Sequence, residues 1–199
     1  SYQDFGDIWL DFSAMGITDD NVQNYRRELN LQTGIASTEF SYKNVSYKRE
    51  HFVSSPDQVM VTNLSASEKG KLNFSAKMEL NNDNLEGKLT FDVRNQTCTI
   101  EGKVKDNDLK FRTTMKLLLT GGEITADEKN QVYRIKNADQ VTIIMAAETD
   151  YKNDYPTYRD KEKNLSNVID TRINDSSKKS YDELKQTHIE DHQSLFDRV

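Results

Sequence analysis

Leu72-Asn73-Phe74-Ser75-Ala76-Lys77-Met78-Glu79-Leu80 is the stretch of sequence that decides the fold. Its apolar and polar side chains alternate at every second residue, which is the period of a β-strand with one buried and one solvated face. Asn81-Asn82-Asp83-Asn84 follows directly, and Asn and Asp favour turns because their side chains hydrogen-bond the local backbone. The stretch therefore predicts a half-buried antiparallel strand.

Period-two alternation continues on both sides of this strand as far as about residue 148. Lys43-Asn44 separates Tyr42 from Val45 and predicts a tight hairpin turn, and Gly121-Gly122 ends a long strand. About eleven strands are predicted in this way, with no alternating helices. They lie at residues 8–12, 25–31, 40–42, 45–47, 59–64, 72–80, 89–93, 98–104, 109–119, 132–135 and 141–147. The pattern predicts an all-β fold, a large antiparallel β-sandwich.

The spacing of apolar residues becomes helical after Tyr151. A first helix is predicted to begin near Lys161, because apolar residues recur there at intervals of three and four. Ser180 and Glu183 form the capping-box pattern of a second helix, which is predicted to run to Val199 with its apolar stripe still open. We therefore predict a sandwich domain over residues 1–152 and a short helical linker over residues 153–199.

Composition argues against several classes of partner. The net charge of -6 and the pI near 5.2 disfavour nucleic acid and anionic membrane surfaces, because neither offers a counter-charge to an acidic protein. No run approaches the roughly 18 apolar residues of a membrane span. The one cysteine, Cys98, lies at an apolar position of a predicted strand, so we predict a small core residue rather than a reactive thiol.

Asp7, Trp9 and Asp11 are the candidate substrate-binding residues, because the two carboxylates flank the indole on one strand face. A ring between hydrogen-bond acceptors is typical of a platform on which a sugar stacks. The alternative is an outward polar face whose tryptophan packs on a neighbouring segment, and the sequence favours this alternative.

His188 and His192 lie four residues apart on the second predicted helix and share a face, as a pair of metal ligands would. No third ligand has suitable spacing, so two solvated or interface histidines are the favoured interpretation. Ser54-Ser55 lacks a nearby histidine or a nucleophile elbow. We predict no catalytic residue, no metal site and no cofactor in this chain.

Several ordered segments together resemble a known family. They are Tyr2-Gln3-Asp4-Phe5-Gly6-Asp7-Ile8-Trp9-Leu10-Asp11-Phe12, Tyr25-Arg26-Arg27-Glu28-Leu29-Asn30-Leu31, Ser55-Pro56-Asp57-Gln58-Val59, Ala138-Asp139-Gln140-Val141 and Asp191-His192-Gln193. In this order and spacing the chain resembles the amino-terminal domain and linker of glycoside hydrolase family ninety-five, the inverting α-L-fucosidases. Asn30 stands where that family usually has Asp.

The resemblance implies a super-sandwich, a helical linker and then an (α/α)6 barrel that holds the active site. The family's catalytic glutamate, asparagines and aspartate would all lie in the barrel, and none can be placed on this chain. We therefore expect the chain to lack its first strands and its catalytic domain. The parent would be an α-L-fucosidase-like glycosidase that releases terminal α-L-fucosides from glycans with inversion, while this chain by itself is predicted to be inactive.

The implied partners are the catalytic barrel of the same polypeptide and a fucosylated glycan, the substrate of the parent enzyme. The resemblance also implies a bacterial parent that is extracellular or at the cell surface. Two alternatives stay open: a free-standing carbohydrate-binding sandwich, and a scaffold that supports the barrel and touches no ligand. The scaffold role is favoured over independent binding, because a large sandwich face needs no ligand to explain it.

Overall fold

A computed structural model describes residues 4–198. Within this range the chain forms twelve strands, a short 3-10 helix at Ser13–Met15 and two α-helices. The strands are β1 (Asp7–Asp11), β2 (Gln23–Asn30), β3 (Ile35–Tyr42), β4 (Val45–Ser54), β5 (Val59–Ala66), β6 (Leu72–Glu79), β7 (Leu85–Asp92), β8 (Thr97–Val104), β9 (Lys110–Thr120), β10 (Glu123–Asp127), β11 (Val132–Ala138) and β12 (Gln140–Thr149). The helices are α1 (Leu165–Ser176) and α2 (Tyr181–Phe196).

The strands form two antiparallel sheets. The smaller sheet has the order β1-β6-β11-β10, and the larger has the order β2-β3-β4-β5-β12-β9-β8-β7. The predicted all-β sandwich with a helical tail is confirmed. Neither α-helix within residues 4–198 is long and apolar enough to cross a bilayer.

The inner core lies between the two sheets. The alternating apolar residues of β6 are all at most 2% exposed: Leu72, Phe74, Ala76 and Met78. Aromatic rings stack within this core, with centroid distances of 4.7 Å for Phe5 and Phe111 and 5.0 Å for Phe12 and Phe74. Cys98 is fully buried here, and burial raises the pKa of its thiol to about 11, so the predicted core role of this cysteine is confirmed.

A second, outer core lies on the opposite face of the larger sheet. Helix α1 packs on β12 and β9, and α2 packs on β4. The buried apolar residues of this core come from both layers: Ile35, Phe52, Val59, Val61, Ile144 and Ala146 from the sheet, and Ile169, Ile173 and Leu184 from the helices. The outer core therefore fixes the helical tail to the sandwich.

Several element predictions differ from the structure. Strands were predicted at 40–42 and 45–47, but β3 and β4 extend over Ile35–Tyr42 and Val45–Ser54, because the two strands stay paired as far as Ala36 and His51. Strand β10 was not predicted, because Ile124 is its one large apolar residue and pairing with β11 defines it. Helix α1 begins at Leu165 rather than near Lys161, because Asn164 caps it by accepting a hydrogen bond from the Asn167 amide at 3.0 Å. Helix α2 ends at Phe196. Tyr2, Gln3 and Val199, used in the sequence predictions, lie outside the described residues.

Candidate functional site

The candidate sugar platform lies on β1, at one edge of the smaller sheet. Asp7, Trp9 and Asp11 point outward, whereas Ile8 and Leu10 between them pack against the inner core. The Trp9 side chain is 52% exposed. The structure thus brings the three predicted residues together on one solvent-facing surface.

Neighbouring polar groups frame the platform. Trp9 lies opposite Lys77 in the strand register, and Lys77 is ion-paired with Glu79. The Asn81 side-chain amide donates to Asp7 Oδ2 at 3.2 Å. This arrangement offers one aromatic face beside several hydrogen-bonding groups, which is chemistry suited to contacting a sugar ring.

The two platform carboxylates are too far apart to act as a catalytic pair. Asp7 and Asp11 are four residues apart on one strand, which corresponds to about 13 Å at about 3.3 Å per residue. Inverting glycosidases hold their two carboxyl groups about 6.5–9.5 Å apart, with one water between them. Asp11 also accepts a hydrogen bond from the Ser13 amide at 2.8 Å, which lowers the pKa of its carboxyl. The platform can contact a ligand but does not have the geometry for glycoside hydrolysis.

The two histidines of α2 contact the turn that joins β2 to β3. His188 Nε2 donates to the carbonyl of Thr33 at 2.9 Å, and His192 Nε2 donates to the carbonyl of Leu31 at 2.8 Å. A Cβ at Gly34 in this turn would lie 3.0 Å from His192 Nδ1. Both rings are therefore interface groups that hold the turn against the helix. Among residues 4–198 no three His, Cys, Asp or Glu side chains are grouped so as to bind a metal ion.

A buried carboxylate on β4 anchors helix α2. Glu50 accepts hydrogen bonds from the Tyr181 hydroxyl at 2.7 Å and from Lys185 Nζ at 2.8 Å. Burial by itself would raise the pKa of Glu50, but the hydrogen bonds from Lys185 and Tyr181 outweigh it, so the pKa is lowered. The helix is thus fixed by directional, charged contacts as well as by apolar packing.

Helix α1 has an equivalent anchor on β12. Glu148 accepts a hydrogen bond from Arg172 Nη2 at 2.8 Å and pairs with Lys163 Nζ at 3.1 Å. Burial opposes ionisation of Glu148, but hydrogen bonds from the Thr149 amide, Lys163 and Arg172 lower its pKa. Each helix therefore has one partly buried carboxylate on the sheet beneath it.

Comparison with known proteins identifies the sandwich. Residues 1–154 match the family described as "Glycosyl hydrolase family 65, N-terminal domain". The chain belongs to this family. The sequence resemblance had pointed to family ninety-five, and the matched family is family 65.

Curated relatives of this family 65 N-terminal domain carry fucosidase names. Over the whole chain it is 25% identical to "Alpha-L-fucosidase 2" of Arabidopsis thaliana and 28% identical to "Probable alpha-fucosidase A" of Aspergillus niger. The chain spans 26% and 25% of the lengths of these two proteins. Each alignment therefore covers the whole of this chain but only about one quarter of the relative.

A solved structure supports the fold of the family 65 N-terminal domain. "Putative kojibiose phosphorylase from human microbiome" superposes with a TM-score of 0.60 over 88% of this chain and 25% of its own length. The sequence identity is 10%. The similarity shows a shared β-sandwich architecture.

The sequence predictions missed a polar groove on the outer face of the domain. It lies between α1 and strands β7, β8 and β9, and it encloses about 400 Å³. Thr97 and Thr99 of β8 alternate with the buried residues Cys98 and Ile100, and this alternation was a usable signal for the face that carries the groove. Alternation of this kind indicates which residues point away from the inner core. It cannot indicate a groove, because the surface becomes concave only where α1 packs on the sheet.

Proposed function

We propose that this chain is the amino-terminal, non-catalytic part of an inverting α-L-fucosidase of the family ninety-five type. In this proposal the parent enzyme releases terminal α-L-fucosides from glycans, and the chemistry takes place in a catalytic barrel elsewhere in the polypeptide. The observation that carries the proposal is that both curated relatives with fucosidase names align with the whole of this chain over only a quarter of their own lengths. The separation of Asp7 and Asp11 on β1 also fits a non-catalytic role.

We further propose a division into a sandwich of residues 1–152 and a helical linker of residues 153–199. The end of the family match at residue 154 supports this boundary. Leu195 and Phe196 at the end of α2 are 57% and 42% exposed. These two side chains offer an apolar surface for contact with the barrel, because exposed apolar groups are commonly buried at interfaces between domains.

Activity measurements test the fucosidase proposal directly. The chain of residues 1–199 and the full parent enzyme are each incubated with 2′-fucosyllactose, and fucose release is followed with time. We expect release by the parent and none by the chain. Proton NMR of the first product should show the β-anomer of L-fucose, because inversion converts an α-linked sugar into its β form. Hydrolysis by the chain itself would contradict the non-catalytic role, and an α-anomer as first product would contradict inversion.

A carbohydrate-binding role for the β1 platform is the second candidate. The half-exposed Trp9 between Asp7 and Asp11 favours it. We expect any binding seen on a glycan array to disappear in Trp9→Ala. Tyr25→Ala is the matched control, because Tyr25 is an exposed aromatic residue on the edge strand β2 of the other sheet. Equal loss in both variants, or unchanged binding in Trp9→Ala, would count against the platform.

A further inference from the structure

We propose that the groove between α1 and strands β7, β8 and β9 binds a neutral saccharide. The groove is on the outer face of the larger sheet, where β9, on which α1 packs, is followed by β8 and the edge strand β7. The proposal does not depend on the fucosidase proposal, because it concerns a binding surface contained within this chain.

Threonine hydroxyls form the floor of the groove. Thr90, Thr99 and Thr114 are partners in the registers of β7, β8 and β9, so their side chains form a row across the three strands. The hydroxyls of Thr99 and Thr114 are 2.9 Å apart and hydrogen-bonded. A threonine hydroxyl can donate or accept a hydrogen bond, as can the hydroxyls of a sugar. A row of threonine hydroxyls can therefore either donate hydrogen bonds to a polyhydroxylated ligand or accept them from it.

In the described part of the chain, the charged side chains that line the groove comprise two of each sign. Arg112 and Lys116 supply two positive charges, and Asp92 and Asp170 supply two negative charges. A groove with one sign of charge would attract an ion of the opposite sign. The balanced charges favour an uncharged ligand that accepts hydrogen bonds from the cations and donates to the carboxylates.

Arg112 distinguishes this groove from an ordinary solvated sheet face. Its guanidinium lies 2.6 Å from Glu101 on β8 and 3.4 Å from Asp170 on α1 and is therefore oriented before any ligand binds. Its Nε is buried and has no hydrogen-bond partner in the described part of the chain. A buried donor without a partner costs about 1–3 kcal/mol. An oxygen atom that reached this donor after a small side-chain movement would remove the cost.

The size of the groove suits a small sugar. Its volume of about 400 Å³ is within the usual range of about 300–1,000 Å³ for small-molecule sites. Among residues 4–198, those that line the groove include no aromatic side chain. Binding would therefore rest on hydrogen bonds rather than on ring stacking, and we expect dissociation constants in the millimolar range.

NMR titration tests the proposal. The nitrogen-15-labelled chain of residues 1–199 is titrated separately with kojibiose and with 2′-fucosyllactose. We expect saturable shifts of the backbone amides of Thr97, Thr99 and Asn174 with at least one of the two sugars. The absence of saturable shifts at these amides with both sugars would overturn the proposal.

Blocking the groove provides the decisive comparison. Thr90→Tyr places a large ring at the groove, on the exposed edge strand β7, and we expect it to weaken binding at least about tenfold. Thr125→Tyr is the matched control, because Thr125 is an exposed threonine on the edge strand β10 of the other sheet. Circular dichroism melts confirm that both variants fold. Equal sugar affinity in Thr90→Tyr and the control would overturn the proposal. Loss of the chemical-shift changes in Trp9→Ala would also overturn it, because that result would assign binding to the β1 platform.

Discussion

The larger sheet has an apolar core on each face, and the two cores are closed by different forces. The inner core meets a second sheet and is filled by stacked aromatic rings and alternating aliphatic side chains. The outer core meets two helices, is smaller, and has Glu50 and Glu148 at its margins, each paired with cations from the helix above. The first core depends mainly on buried area, and the second depends on area together with a few ionised contacts.

This difference has consequences for stability and for movement. Hydrophobic burial is non-directional and insensitive to pH, whereas a paired carboxylate loses its contribution when it is protonated. The helices can therefore be loosened by treatments that leave the sandwich folded. We expect changes at the inner core to unfold the whole chain and changes at the outer anchors to release the helical tail.

Phe111→Ala should have the largest effect. Phe111 is 1% exposed and stacks on Phe5 in the inner core. Truncation of a buried aromatic ring costs about 3–5 kcal/mol because it leaves a cavity. Urea unfolding measures the loss, and Val53→Ala is the control, since Val53 is 67% exposed on β4 and should change stability by less than about 0.5 kcal/mol. Equal unfolding midpoints for the two variants would contradict the assignment of this core.

Acid should release the helices before the sandwich unfolds. Folding lowers the pKa of Glu50 and of Glu148. Their stabilisation is therefore fully present above the ordinary glutamate pKa of about 4.3 and is lost as the pH falls through the lowered values. Hydrogen exchange below about pH 4 should show faster exchange in α1 and α2 while β6 and β9 remain protected. Simultaneous loss of protection in helices and strands would contradict the separation of the two cores.

Glu50→Gln should have a smaller effect than acid, because it removes one of the two anchors. The neutral amide keeps a carbonyl acceptor but loses the charge that pairs with Lys185, and we expect a loss of about 1–3 kcal/mol. Lys48 pairs with both Glu50 and Glu39, and Glu39→Gln is the matched control because the Glu39 side chain is 47% exposed. Exposed pairs contribute about 0–1 kcal/mol. Protease cleavage between α1 and α2 measures release of the tail, and equal cleavage rates in both variants would show that Glu50 is no anchor.

Substitutions at Thr113 and Thr114 should change stability least, and they compare the two faces of the sheet most directly. Both residues are 3% exposed and adjacent on β9. Thr113 faces the inner core, and its hydroxyl has no hydrogen-bond partner among residues 4–198. Thr114 faces the outer side, and its hydroxyl is hydrogen-bonded to that of Thr99. Thr113→Val should stabilise and Thr114→Val should destabilise, each by about 1 kcal/mol. Thermal melts of the two variants measure the signs. Destabilisation by both would show that the inner hydroxyl is satisfied.

Much of the fold could be predicted because the alternation of apolar and polar residues along a strand indicates which side chains are buried. In β6 each apolar residue is buried and each intervening polar residue is more exposed, as its alternation predicts. The turn at Lys43-Asn44 has the positive φ angles, 49° and 63°, that the predicted tight hairpin requires. The capping box of Ser180 and Glu183 was likewise predicted and is present.

The site could be predicted less well. Asp7, Trp9 and Asp11 lie on one exposed face as predicted, but their role in binding stays a prediction. His188 and His192 share a helix face as predicted, yet their contacts with the turn at Leu31 and Thr33 involve residues more than 150 positions away. Such contacts leave no local pattern in the sequence.

The sequence by itself determined the two-layer β architecture, because alternation along each strand fixes which side chains must leave water. Only the tertiary structure decided the order of the strands in the two sheets, the docking of α1 and α2 on one face of the larger sheet, and the groove that this docking leaves over Thr90, Thr99 and Thr114. The physical reason is range: burial is encoded residue by residue, whereas a concave surface and a shared carboxylate arise from elements that meet only after the chain has folded.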